Sequence, residues 1–111
     1  MKTKNLETFV NENQTLLKDF VEKLYDKYKR SPINKWEINK DPRSKVIKWE
    51  TKEGAQIFTG FFSYGILSVD TFDVQGHQMT SRMYDLELSG NFETDEQNYF
   101  GILNQYLGRR R

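Results

Sequence analysis

The sequence predicts an α+β fold: an N-terminal helix, a four-stranded antiparallel meander and a C-terminal helix. Three observations lead there. An apolar stripe of helical period runs through the first 28 residues. Four strand-like segments follow, with a glycine in each connection between them and no helix between any two. A capped amphipathic segment comes last. Parallel neighbours would need crossover helices, so the strands must pair antiparallel.

The first helix is expected over about 4–29. Leu6, Phe9, Val10, Leu17, Phe20, Val21, Leu24 and Tyr28 recur at steps of three, four and seven, with charges opposite. Asn13 falls where an apolar residue is due, and Asn11 and Gln14 have capping-pair spacing, yet one helix ending before Ser31–Pro32 fits better. Residues 30–44 form a connection with a possible short strand from Lys35 to Asn39, and the Asp41–Pro42–Arg43 triplet reads as a turn.

The four main strands are expected over 45–51, 55–63, 66–74 and 77–89. In the final helix Thr94 and Gln97 have the spacing of a capping box, and Asp95 and Glu96 suit the positive helix end. Tyr99, Ile102, Leu103, Tyr106 and Leu107 make its apolar face, and Gly108 ends it. The 111 residues form one domain, with 109–111 as a frayed basic tail.

The run Ala55–Val69 carries large apolar side chains on both parities of a strand. If each hairpin closes through two residues (Glu53–Gly54, Tyr64–Gly65, Gln75–Gly76), register follows. Trp49 then opposes Phe58, Phe62 opposes Leu67, and Leu67 opposes Tyr84. One face collects Ile47, Trp49, Phe58, Phe62, Leu67, Val69 and Tyr84 and is the better core. The other collects Val46, Ile57, Phe61, Ile66, Phe72, Met79 and Met83 among polar residues that include Thr59 and Ser68. The helices either cover one face together or take one face each. In the first case Ile57, Phe61, Ile66, Phe72, Met79 and Met83 are the expected partner-binding residues, because an exposed apolar patch of more than a few hundred Å² marks an interaction surface. A one-residue bulge within 55–74 would exchange the faces.

Composition narrows the function. The chain has no Cys, which removes a disulfide framework, a thiolate zinc site and a Cys nucleophile, and leads to the expectation of a reducing, cytoplasmic setting. The N-terminus lacks the apolar core of a signal peptide, and no run approaches the ~20 apolar residues of a membrane span. The single histidine, His77, flanks a turn; Ser81 and Asp85 follow at steps of four, about 13 Å apart in succession on a strand and too far for a relay. No His pair offers zinc ligands, and Asp70–Asp73 lacks the calcium-loop spacing. Glu37, Glu50, Asp70 and Asp85 are the carboxylates available for acid–base work, and nothing singles out a pair. The run 60–65 does not lead into a helix, so it is no phosphate loop. No catalytic residue, cofactor or metal is expected.

Net charge is +1, but residues 1–56 carry 13 Lys/Arg against 9 Asp/Glu, while 57–111 carry 4 against 7. Opposed halves favour electrostatic partners even in a near-neutral chain. Two function classes follow. The first is a small non-enzymatic intracellular protein that regulates or inhibits a larger protein through a sheet face, or associates with itself; the Lys/Asn-rich, Cys-free composition fits a phage or mobile-element accessory protein. The alternative is a nucleic-acid binder using the basic segment 27–52, with Lys35, Trp36, Lys40, Arg43, Lys45 and Lys48, and the tail Arg109, Arg110 and Arg111.

Overall fold

A computed structural model describes residues 6–31, 33–40, 46–62 and 66–107, with side chains for 16–31, 33–40, 46–61 and 66–107. The elements are α1 (Leu6–Tyr28), β1 (Trp36–Lys40), β2 (Val46–Thr51), β3 (Gln56–Phe62), β4 (Ile66–Phe72), β5 (Gln78–Asp85) and α2 (Phe92–Leu107). The strands form one sheet in chain order, each antiparallel to the next. The α+β class with flanking helices therefore holds, and α1 is one continuous helix. The expected ends at Pro32 and Gly108, the 41–43 turn and the 109–111 tail lie outside the described residues.

The strand count is five, not four. The short Lys35–Asn39 segment is a full edge strand displaced by one residue. Its entry is a two-residue turn at Asn34–Lys35, both left-handed (φ 49° and 71°), closed by reciprocal Ile33–Trp36 backbone bonds of 3.0 and 2.7 Å. Left-handed backbone at both central positions matches the twist of a tight hairpin. The Asn34 side chain donates to the Leu107 carbonyl at 3.1 Å, satisfying one of the free acceptors at the end of α2. Ile38 then pairs with Trp49 and is buried.

Register differs by one residue at β2–β3 and β3–β4. Trp49 opposes Ile57, not Phe58, and Leu67 opposes Phe61, not Phe62. The cause is loop length. The β2–β3 connection closes through three residues, Lys52–Glu53–Gly54, with Thr51 N donating to Ala55 O at 3.0 Å and Gly54 at φ 106°. A left-handed glycine at the third position is the signature of that loop. The expected Leu67–Tyr84 pair is present because two departures cancel. Val74–Gln75–Gly76 is again a three-residue loop, and a bulge at Thr71/Phe72 sets Phe72 against Gln78.

The one-residue shift exchanges the faces of β3. Ile57, Thr59 and Phe61 point inward with Ile38, Ile47, Trp49, Leu67 and Val69, whereas Phe58 turns outward. Both helices cover this inner face. α1 contributes Leu17, Phe20, Val21 and Leu24, and α2 contributes Tyr99, Leu103 and Leu107. The side chains of Leu6, Phe9, Val10 and Phe62 lie outside the described set.

Tyr99 is the centre of the core. Its hydroxyl accepts a bond from Trp49 Nε1 at 3.0 Å and lies 2.8 Å from Thr59 Oγ1, which itself donates to the Ile47 carbonyl at 3.2 Å. Since Thr59 spends its proton on Ile47, Tyr99 donates to Thr59, and every member of the chain is satisfied. Burial pushes the Tyr99 phenol far above its ordinary value, so it stays neutral. Around it Phe20, Phe61 and Phe100 pack with ring centroids 5.7, 6.1 and 5.2 Å away.

The helix α2 starts earlier than the Thr94 box implies. Asn91 is the N-cap, its Oδ1 accepting from Thr94 N at 3.0 Å. Asp95 is 2% exposed and accepts from Ser89 N (2.9 Å), Ser89 Oγ (3.0 Å) and Gly90 N (3.2 Å), which fixes the approach to the helix. The helices meet where Lys27 Nζ lies 2.7 Å from Glu96 Oε2, to which the Tyr28 hydroxyl also donates.

Removing the Tyr99 hydroxyl leaves the buried Trp49 Nε1 without its acceptor and takes the donor from Thr59 Oγ1. Tyr99→Phe is expected to lower unfolding free energy by about 1–3 kcal/mol, measured by urea denaturation with Trp fluorescence. A loss near zero would show that the network does not hold the core.

Candidate functional site: the uncovered sheet face

With both helices on one side, the other side of the sheet carries no helix among the described residues. Cross-strand rows order its residues. One row runs Asn39, Lys48, Phe58, Asp70, Ser81; the next runs Val46, Gly60, Ser68, Met83; a third includes Ile66 and Asp85. Phe58 and Phe72 pack edge to face with centroids 5.5 Å apart. Gly60 adds no side chain, and a Cβ there would meet only Val46 Cγ2, at 3.8 Å. The second row is therefore a low lane between the phenylalanine pair and Ile66.

Charged groups frame the apolar residues. Lys48 Nζ stands 6.0 Å from the Phe58 ring centroid and 3.4 Å from Glu50 Oε1. Gln56 Nε2 donates to Glu50 Oε2 at 3.0 Å, and this bond, with Lys48, holds the Glu50 carboxyl below its ordinary value. Ser68 Oγ donates to Asp70 at 3.3 Å. Exposure is greatest at the β5 edge: Met79 and Met83 are 63% and 66% exposed, and Val74 in the adjoining turn 55%.

The expected partner-binding set divides. Ile66, Phe72 and Met83 are on the uncovered face, with Ile66 and Phe72 half-buried among their neighbours, whereas Met79 is the unpaired extra residue of the β5 bulge. Ile57 and Phe61 are 1% and 8% exposed beneath the helices, and their placement on the contact face is corrected. Phe58, expected in the core, takes their place, and Val46 joins it. The signal for this exchange was in the sequence, since a glycine ending a hairpin loop suits a three-residue connection as well as a two-residue one.

The basic residues of the alternative reading are spread out. Lys35 is in the β1 turn, Lys40 Nζ lies 5.3 Å from the Tyr25 ring on the helical side, and Lys48 is on the open face. Trp36 packs against the core margin. Arg43, Lys45, Arg109, Arg110 and Arg111 lie outside the described residues.

The four carboxylates considered for acid–base work, Glu37, Glu50, Asp70 and Asp85, are on four different strands. Among the described residues no cluster of three or more His, Asp or Glu side chains is placed to hold a metal, and no helix is long and apolar enough to cross a membrane. His77 is a turn residue with Nδ1 3.6 Å from Asp73 Oδ2. The His77 and Gln75 amides both donate to Asp73 Oδ1 at 2.9 Å. The His77 amide bond is the main reason the Asp73 carboxyl is held below its ordinary value.

No family model, curated protein or solved structure matches the chain.

Two measurements check this geometry. Phe61→Asp is expected to unfold the protein, whereas Met83→Asp changes stability by only about 0.5 kcal/mol; similar losses in both would place Phe61 outside the core. Asp73 binds its proton more weakly folded than unfolded, so its contribution is fully present above the unfolded pKa and fades as pH falls through the folded one. An NMR titration should show a depressed Asp73 midpoint, and Asp73→Asn should remove that part of the acid sensitivity.

Proposed function

We propose that this chain is a small non-enzymatic interaction protein that regulates or inhibits a larger protein by laying the uncovered sheet face on it. The observation that carries the reading is the one-sided arrangement: two helices share the inner face, and Phe58, Phe72, Ile66, Val46 and Met83 remain on the other with no helix over them. A central band of aromatic and aliphatic side chains with a charged rim suits a protein contact, where large apolar residues anchor and the rim sets orientation. Lys48 and Glu50 supply charge on the β2 flank, and Asp70 sits beside Phe58 within the band.

Gly60 offers a test that leaves the fold intact. A Cβ at this position meets only ordinary contact, and a strand interior tolerates most residues better than glycine. Gly60→Glu is expected to keep the stability and circular dichroism of the parent chain. In affinity capture with nuclease treatment, the parent chain should retain a protein partner that Gly60→Glu and Phe72→Asp lose. Capture that survives both substitutions would reject the face, and capture that vanishes with nuclease would favour the nucleic-acid reading.

A further inference from the structure

We infer that the partner on the open face brings an arginine to Asp70, set between that carboxylate and the Phe58 ring, from a protein surface of net positive charge. The inference rests on the reading that a protein covers this face, and it adds the chemistry that such a partner must have.

Asp70 stands inside the apolar band. Across the strands it opposes Phe58 on one side and Ser81 on the other, and along β4 its neighbours on the same face are Ser68 and Phe72. It is half-buried. Among the described residues its side chain has one polar partner, Ser68 Oγ, which donates at 3.3 Å, and no lysine or arginine is paired with it. Two cations of the neighbouring strands are placed elsewhere. Lys48 lies beyond Phe58 in the same row, two strand spacings or roughly 10 Å away, and its Nζ is 3.4 Å from Glu50 Oε1. Arg82, on the adjoining strand, stands in the row of Val69, on the helical side.

In the free chain water completes the hydration of this carboxylate. A protein laid over Phe58, Phe72 and Met83 removes that water. A carboxylate that loses water without gaining a cation or further donors is costly to bury. One hydroxyl does not replace a hydration shell, so the partner has to bring the positive charge. Arginine suits the place better than lysine. Its planar guanidinium forks onto a carboxylate and stacks on a ring, whereas an ammonium is a compact, strongly hydrated point charge. Phe58, directly opposite Asp70, offers the ring. The low lane over Gly60 and Ser68 adjoins both and gives the aliphatic stem of the arginine an approach.

The rest of the face has the same sign. Glu37 and Glu50 oppose each other on β1 and β2, and Asp85 opposes Ile66 beside the β5 edge. With Asp70 they make four carboxylates against the single Lys48 among the described open-face residues. Like charges directly across a strand pair repel, and a basic surface relieves that repulsion. Phosphates add to it, so the face favours a basic protein over a nucleic acid.

Asp70→Asn keeps the shape of the side chain and removes its charge. Against a partner that brings arginine it weakens binding; against an apolar partner it tightens binding, because a buried charge is gone. A display library of random linear peptides, selected on the parent chain, supplies defined probes, with footprints read by NMR shifts and affinities by calorimetry. Selected peptides are expected to perturb Phe58, Ser68, Asp70 and Met83 and to carry an arginine beside apolar residues. Their affinity is expected to fall at least about tenfold on Asp70→Asn with the unfolding midpoint unchanged, and Asp70→Arg is expected to recover binding when the peptide's arginine is made glutamate. Peptides that occupy this footprint without a cation, or that bind Asp70→Asn as tightly as the parent chain, overturn the inference and leave the open-face reading standing. Shifts at Phe58 and Asp70 caused by random-sequence oligonucleotides, or by concentrating the chain alone, also overturn it. A selection that yields no footprint on this face rejects the open-face reading itself, and the inference with it.

Discussion

The Tyr99 hydroxyl is the contact on which the architecture depends. It is a polar atom that α2 sends into the buried core, and it reaches β2 through Trp49 and β3 through Thr59. A phenol in an apolar core is costly unless both its proton and its lone pair are used. Here the donor–acceptor order runs from indole to phenol to threonine to the Ile47 carbonyl. That order works only in the observed register, with Thr59 opposite Ile47. A slip of one residue would remove Thr59 from the inner face and leave the phenol without an acceptor. The network thus selects register as well as contributing to stability.

Fixing the register fixes which side of the sheet is left open. The helices are held to the same face by the aromatic cluster around Tyr99 and by the Lys27–Glu96–Tyr28 contact between them. Neither can be moved to the other side without breaking both. The exposed band is therefore a consequence of how the core is closed.

Much of the fold was legible because it rests on periodicity. The stripe of α1, the apolar spacing of α2 and the antiparallel order of the strands follow from apolar repeats and glycine positions alone. Loop length was less legible. Lys52–Glu53–Gly54 and the shorter Glu53–Gly54 read almost alike, and the difference of one residue moves Phe58 and Phe61 to opposite faces. β1 was blurred because five residues give little alternation to read, and its turn uses Asn34 and Lys35 in place of glycine. The start of α2 was missed because two caps compete within four residues. Thr94 has the familiar box spacing, but Asn91 holds the position and Asp95 secures the approach. The open face was half legible: Ile66, Phe72 and Met83 were placed by alternation, whereas Phe58 was hidden by the register and Met79 falls in the bulge. Thr59 carried no signal of its role, since a threonine between apolar residues reads as a solvent position.

The order of elements along the chain has a consequence for synthesis. All five strands precede α2, and each joins its neighbour through a short local connection, so the sheet has what it needs to zip up before Tyr99 leaves the ribosome. Until then Trp49 and Thr59 lack their phenol, and the inner face is covered by α1 alone. The nascent chain passes through a stage in which the inner face has only half of its cover. The arrival of α2 is the step that completes the cover of the inner face.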